Sequence, residues 1–323
     1  MSKPCVFVTR EIFPEALERI KTGADIEVWP GELPPPYETL VEKSRGADGI
    51  LCMLSDRIDA DFIAACPNLK IISTMAVGYD NINIAAANAR NIRVGNTPGV
   101  LTETTADLIW ALLMAAARRI AESDNYVRDG EWKTWGPMTL LGQDVHGATL
   151  GIIGLGRIGL EVAKRARGFG MKILYYSRTR KTPEQERDLG LEYVDRMTDL
   201  LSWSDFISLH VPLTPETKRL IGAAEFGMMK KTAVFVNASR GAVVDQAALY
   251  EALRDGTIFS AGLDVTVVEP IPMDDPLLTL PNLVIAPHIG SASYPTRRTM
   301  ALMAADNLLA GLRGELPPNC VNP

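Results

Sequence analysis

Ala148-Thr149-Leu150-Gly151-Ile152-Ile153-Gly154-Leu155-Gly156-Arg157-Ile158-Gly159 runs from a short apolar strand into G-x-G-x-x-G and on into helical spacing. That succession is the first βα turn of a dinucleotide-binding unit. Gly154 permits the tight turn, Gly156 lets backbone N–H groups approach a pyrophosphate, and Gly159 lets helix and strand pack closely. A glycine-rich turn without a ligand is the alternative, and it would sacrifice helix propensity for no return. Nearly half of the 323 residues precede the turn, so the dinucleotide domain does not begin at the N-terminus. A second domain is required, and the reaction is expected where the two meet.

The length suits about two domains of ordinary size. With 47% hydrophobic and 22% charged residues, the chain has the composition of a soluble globular protein with substantial cores. A net charge of −6 without long single-sign runs argues against nucleic acid as a partner. It leaves room for a small anionic substrate. Cys5, Cys52, Cys66 and Cys320 form no C-x-x-C, and no His/Cys cluster has ligand spacing, so free thiols and no metal are expected. Met1 to Arg10 reads as strand rather than signal peptide, and no apolar run of about 18 residues suggests a membrane span. A cytoplasmic protein is the resulting expectation.

Strands are expected at Cys5–Thr9, Gly49–Leu54 and Leu69–Thr74, with helices at Pro14–Lys21, Leu40–Arg45 and Ala60–Cys66. Thr102–Arg119 is the longest helical pattern. Residues 123–147 have sparse periodicity, Trp132 and Trp135, and read as a functional or subunit-contact arm. Further strands follow Ala148 at Lys172–Tyr176, Asp205–His210, Ala233–Asn237, Ser260–Asp264 and Leu283–Ala286. A strong helix at Arg298–Leu312 has no strand after it and is expected to pack back on the first domain. Alternating β and α predicts parallel sheets covered on both faces.

NAD enzymes place an acid about 20 residues after the glycines, where it binds the ribose 2′-OH. Here Tyr176 leads into Ser177-Arg178-Thr179-Arg180 instead. The two guanidiniums can clamp a 2′-phosphate through charge-assisted bonds; a solvated basic turn is the other reading. With the acid missing, NADPH/NADP is expected over NADH.

Arg240 in Asn237-Ala238-Ser239-Arg240-Gly241, Glu269 in a Pro-rich turn, and His288 in Ala286-Pro287-His288-Ile289-Gly290 all fall just beyond strand ends. Open α/β sheets bind ligands there. Reduction of a 2-keto acid needs these residue types. Arginine holds the carboxylate and polarises the ketone, histidine supplies a proton, and a carboxylate orients the histidine. Taken singly, each has an ordinary alternative as cap, turn or surface residue.

Together with Ala76-Val77-Gly78-Tyr79-Asp80-Asn81-Ile82, His210-Val211-Pro212-Leu213-Thr214 and Gly262-Leu263-Asp264-Val265-Thr266, these segments resemble the D-isomer-specific 2-hydroxyacid dehydrogenase family over essentially the whole chain. Val8-Thr9-Arg10, Leu51 to Asp56, Leu101 to Thr105, Trp132 to Trp135 and Asn307 to Glu315 bring it nearest to the glyoxylate/hydroxypyruvate reductases of that family. The resemblance implies an α/β protein of two doubly wound parallel-sheet domains. A Rossmann domain at 102–288, with a dimerisation arm at about 123–147, is inserted into a flavodoxin-like substrate domain made of 1–101 and 289–323.

His288 would then be the proton donor, Glu269 its partner and Arg240 the carboxylate ligand. Backbone N–H groups of Val77 and Gly78 would assist. Leu155, Gly156, Arg157 and Ile158 would cradle the pyrophosphate, and Ser177 to Arg180 would meet the adenosine end. Pro212, Ala238 and Asp264 would line the cofactor, with Asp264 near the nicotinamide amide, and Ser291 would sit at the substrate. Leu54 and Trp135 are expected to set pocket size. Trp135 would do so from the neighbour in a homodimer, or else serve ordinary interface packing. His210 is expected to pack under the cofactor loop.

The expected reactions are glyoxylate to glycolate and hydroxypyruvate to D-glycerate. A phosphoglycerate or formate dehydrogenase of the same family is one rival, and a dinucleotide-sensing corepressor-like protein is another. The Glu269/His288 pair argues against formate, which needs no general acid. The sequence ends at Pro323, so the regulatory domain of many phosphoglycerate dehydrogenases is not expected.

Overall fold

Short runs of Val, Ile, Leu and Phe separated by amphipathic stretches are satisfied by parallel sheets with helices on both faces. The computed structural model, which describes residues 3–323, contains two such sheets. The chain begins β1 (Cys5–Val8), α1 (Pro14–Lys21), β2 (Asp25–Val28), α2 (Tyr37–Ser44), β3 (Gly49–Cys52), α3 (Ala60–Ala65), β4 (Ile71–Thr74), α4 (Ile84–Ala89) and β5 (Arg93–Gly95). Two helices follow, α5 (Thr102–Ala117) and α6 (Ile120–Arg128). Then come β6 (Thr149–Ile153), α7 (Arg157–Ala166), β7 (Lys172–Tyr176), α8 (Pro183–Leu189), β8 (Leu191–Tyr193), α9 (Met197–Trp203) and β9 (Phe206–Leu209). The remainder is α10 (Ala223–Met228), β10 (Val234–Asn237), α11 (Gln246–Arg254), β11 (Ser260–Leu263), β12 (Leu283–Ile285) and α12 (Tyr294–Leu312). Asp59, Asn83, Asp245 and Ser293 start α3, α4, α11 and α12, each side chain accepting a first-turn N–H.

The chain up to Leu101 and Ala292–Pro323 form one unit; Thr102–Ser291 form the other. In the first, the parallel strands run β2-β1-β3-β4-β5, the flavodoxin-like order with its reversal between β1 and β3. Ala301, Ala304, Ala305 and Leu308 of α12 pack on Val6, Val8, Leu51 and Ile71. The fit is close: a Cβ on Gly311 would lie 2.6 Å from Ile71 Cβ. Removing a fully buried side chain such as Leu308 costs about 2–5 kcal/mol.

In the second unit the parallel order is β12-β11-β10-β9-β6-β7-β8, which reverses between β6 and β9. Leu112, Leu113 and Ala116 of α5 and Val162 and Ala163 of α7 cover one face of this sheet. The second break in the chain falls after Ser291 rather than at residue 288. Asp264 at the end of β11 accounts for this, because it holds the N–H groups of His288, Ile289 and Gly290.

Three strands have no counterpart in the sequence expectation. β2 is an edge strand of exposed and half-buried residues, and β5 and β8 are three residues each. The arm begins as a helix, α6, with no buried residue. Ion pairs Arg119–Glu122 and Arg128–Asp124 brace it. Residues 129–148 then hold neither helix nor strand.

Candidate active site

The G-x-G-x-x-G turn joins β6 to α7 next to the strand reversal. Gly154 has φ +93°, and a Cβ there would lie 2.9 Å from the His210 carbonyl. At Gly159 a Cβ would lie 2.5 Å from Gly154 O. Protein packing therefore explains these two glycines. It does not explain Gly156, whose φ is −80° and whose Cβ would meet nothing within 4 Å. Gly156 caps α7, and no side chain caps that end. A helix N-terminus with free N–H groups and a glycine that only a ligand would require fits a pyrophosphate. His210 lies beneath, its Nε2 2.8 Å from Ser208 Oγ. Burial pushes its imidazole down to about 3, so the ring is neutral support. Leu155 is buried, Ile158 half-buried and Arg157 exposed.

Beyond β7, Ser177 is half-buried and Arg178, Thr179 and Arg180 are exposed. The two arginines differ. Arg180 Nε and Nη2 each donate to Glu186 at 2.8 Å, and its guanidinium lies over the Tyr193 ring. Glu186, also bound by Tyr175 Oη at 2.6 Å, is held down to about 2 by Arg180 and then Tyr175. Tyr175 Oη in turn accepts from Lys181 N. Arg180 thus braces the loop.

Three loops at the strand ends of this unit bring the chemistry together. His288 Nδ1 lies 2.7 Å from Glu269 Oε2, with the two side chains 27% and 32% exposed, so the pair is open to a ligand. Burial pushes the Glu269 carboxyl up. The His288 hydrogen bond and charge, the Thr266 N–H and Arg240 outweigh it and hold the group below the usual carboxylate range. Asp264 is buried, and its carboxylate accepts from Ile289 N at 2.7 Å and Gly290 N at 2.8 Å. Its carbonyl accepts from His288 N at 2.9 Å. These three bonds hold His288 at φ +54°, the left-handed region. Asp264 therefore orders the histidine loop, a role that its expected place beside the nicotinamide did not include.

Arg240 follows β10, and its Nη1 donates to Ser239 O at 2.8 Å. Asn237 fixes this turn by accepting from Ser239 N and donating to Arg240 O. Gly241 was not singled out from the sequence, yet a Cβ on it would lie 2.0 Å from Thr266 C and O. Only glycine lets the Arg240 and Glu269 loops touch. The signal was present in Ser239-Arg240-Gly241, but its meaning lies in a loop 25 residues away. Pro212 follows β9 and is exposed; Ala238 and Ser291 are half-buried.

Leu54, Val77 and Gly78 belong to the other unit and follow β3 and β4. Asp56 orders the Leu54 turn by accepting from Met53 N and Thr9 Oγ1. Asn96 Nδ2 donates to the Val77 carbonyl at 2.9 Å. Trp135 stands on the arm, 78% exposed, and contacts none of the loops above through any hydrogen bond or ring pair among the described residues. Among those residues no three His, Cys, Asp or Glu side chains gather as a metal site, and no helix is long and apolar enough to cross a membrane.

Residues 110–290 match the family "D-isomer specific 2-hydroxyacid dehydrogenase, NAD binding domain". The chain is 56% identical over 321 residues to a glyoxylate reductase of Korarchaeum cryptofilum, covering 99% of this chain and 96% of the relative. It is 52% identical over 326 residues to one of Aeropyrum pernix, covering 100% and 97%. Among solved structures, a Thermus thermophilus protein superposes with TM-score 0.91 at 48% identity over 98% and 99% of the two chains. An NADPH-dependent glyoxylate/hydroxypyruvate reductase of Sinorhizobium meliloti, crystallised with NADP and malonate, gives 0.87 at 33% identity over 99% and 97%. With a family match over more than half of its length and relatives more than 50% identical along nearly all of it, the chain belongs to the D-isomer-specific 2-hydroxyacid dehydrogenase family.

Proposed function

We propose that this protein reduces small 2-keto acids with NADPH, taking glyoxylate to glycolate and hydroxypyruvate to D-glycerate. The observation that carries the reading is the 2.7 Å contact between His288 Nδ1 and Glu269, beside the Arg240 loop. The glyoxylate reductases among the relatives, and the NADP bound in the Sinorhizobium structure, support the substrate and the cofactor.

The dinucleotide supplies the hydride when bound on the Gly154–Gly159 turn. Arg240 binds the substrate carboxylate and so orients the adjacent ketone. His288, as imidazolium, gives its Nε2 proton to the carbonyl oxygen as the carbon is reduced. Glu269 holds Nδ1–H and stabilises the cation until the proton leaves. Arg178 meets the 2′-phosphate. Val77, Gly78, Leu54, Ser291 and Trp135 remain the expected further substrate contacts. We take the protein to act in the cytoplasm, in keeping with its four free cysteines, and to work as a homodimer.

The test follows NADPH or NADH absorbance with glyoxylate, hydroxypyruvate, formate or buffer alone. Turnover of both keto acids with a lower KM for NADPH is expected, and Arg178→Ala should erase the cofactor preference while Arg180→Ala retains part of it. Turnover with NADH alone overturns the cofactor reading, and activity on neither keto acid overturns the substrate reading.

A further inference from the structure

Glu269 sits on a loop that apolar burial does not hold in place. Between Val265, which is buried, and the half-buried Ile271, the side chains of Val267 and Val268 are exposed. What fixes the loop is polar, and Gln246, the first residue of α11, is at its centre. Gln246 Oε1 accepts from Val267 N at 2.9 Å, and Nε2 donates to Asp275 Oδ2 at 2.7 Å. A main-chain N–H only donates and an ionised carboxylate only accepts, so the carboxamide can face one way only. Asp275 is itself tied down, because its Oδ1 accepts from Leu277 N at 2.9 Å. On the loop's other side Gly241 lies against the backbone of Thr266 and Val267. Inside the loop, Thr266 Oγ1 donates to Val268 O and Thr266 N to Glu269 Oε1.

We propose that Gln246 is a positioning residue for the acid–base pair: it pins the 266–269 loop so that Glu269 meets His288 Nδ1. The proposal rests on the reading of Glu269 and His288 as that pair. The other charged groups acting on the pair are Arg240, after β10, and Asp264, at the end of β11; neither hydrogen-bonds Gln246. With Gln246 gone, Glu269 keeps its burial but holds its hydrogen bonds less well, so it takes up a proton at higher pH. The His288 ring loses the acceptor that fixes its Nδ1.

The experiment compares parent, Gln246→Met and Asp275→Asn in the full-length protein. It measures the pH profile of kcat/KM for glyoxylate and the titration of the His288 ring by ¹³Cε1 resonance. Only two other histidines, His146 and His210, compete in that spectrum. In Gln246→Met the bell should narrow from both sides, its alkaline limb and the His288 midpoint falling by about 0.5–1 pH unit. There kcat should drop about tenfold, with the glyoxylate KM changed less than about twofold. Asp275→Asn should give a smaller shift in the same direction, and it carries the test alone if Gln246→Met does not fold. An unchanged profile width and His288 midpoint in the folded variants overturn the proposal. Glu269→Gln separates the two levels. If it removes the acid limb and lowers the alkaline one while the Gln246 and Asp275 variants leave both unmoved, only the role of Gln246 fails. If it too leaves the profile unmoved, the underlying pair fails with it.

Discussion

At the scale of single residues, His288 is held in a conformation that its own backbone disfavours. A non-glycine residue at φ near +54° costs about 1 kcal/mol or more, and histidine is among the types that tolerate it. Three consecutive N–H bonds to Asp264 offset that cost and aim the ring at Glu269. The same loop thus fixes Nδ1 against Glu269, so that under the proposed mechanism Nε2 is the nitrogen left to face a substrate. Replacing His288 with Ala should lower kcat by about 10²–10⁴-fold, the range for loss of a general acid, without altering dinucleotide affinity measured by fluorescence titration. Turnover within about threefold of the parent would end the proton-donor role.

Among the elements, the β6–α7 turn separates glycines demanded by protein packing from one, Gly156, that no protein atom demands. Gly159→Ala drives a methyl to within 2.5 Å of Gly154 O, so it should lower the melting temperature of the ligand-free protein. Gly156→Ala meets no protein atom and should leave that temperature nearly unchanged while weakening dinucleotide binding by tenfold or more, about 1.4 kcal/mol. Equal loss of stability in the two variants would remove the distinction. The turn itself was legible in the sequence because glycine spacing records backbone geometry directly. The interior strands were legible because runs of four buried, mostly apolar residues such as Gly49–Cys52 leave few alternatives. β2 escaped notice because Asp25-Ile26-Glu27-Val28 lies at a sheet edge with no fully buried residue. Arg240, Glu269 and His288 could be picked out as chemical types. The bracing of Arg180 by Glu186 and the grip of Gln246 on Val267 could not, since each depends on how a loop returns in space.

For the whole molecule, the arm is the least satisfied surface. Ile120, Val127, Trp132, Trp135, Met138 and Leu141 are all exposed between residues 120 and 141. A chain does not normally leave so many large apolar side chains of one segment in water, and a second copy is the partner expected to cover them. Sedimentation velocity should find a dimer for the parent and a shift toward monomer for Trp135→Ser/Met138→Ser; a parent that sediments as monomer at micromolar concentration contradicts the homodimer. The other whole-chain property is the way the first unit closes. Its sheet is assembled from β1 to β5, but the layer that seals Val6, Val8, Leu51 and Ile71 is completed only by α12, beside α1. During synthesis on the ribosome those five strands emerge first and must wait, one face covered only by α1, while all of Thr102–Ser291 is translated. The later unit holds its entire core in one continuous segment and can fold as it appears. The oldest third of the nascent chain is thus the last to mature, and it is the part exposed to chaperones and proteases in the interval.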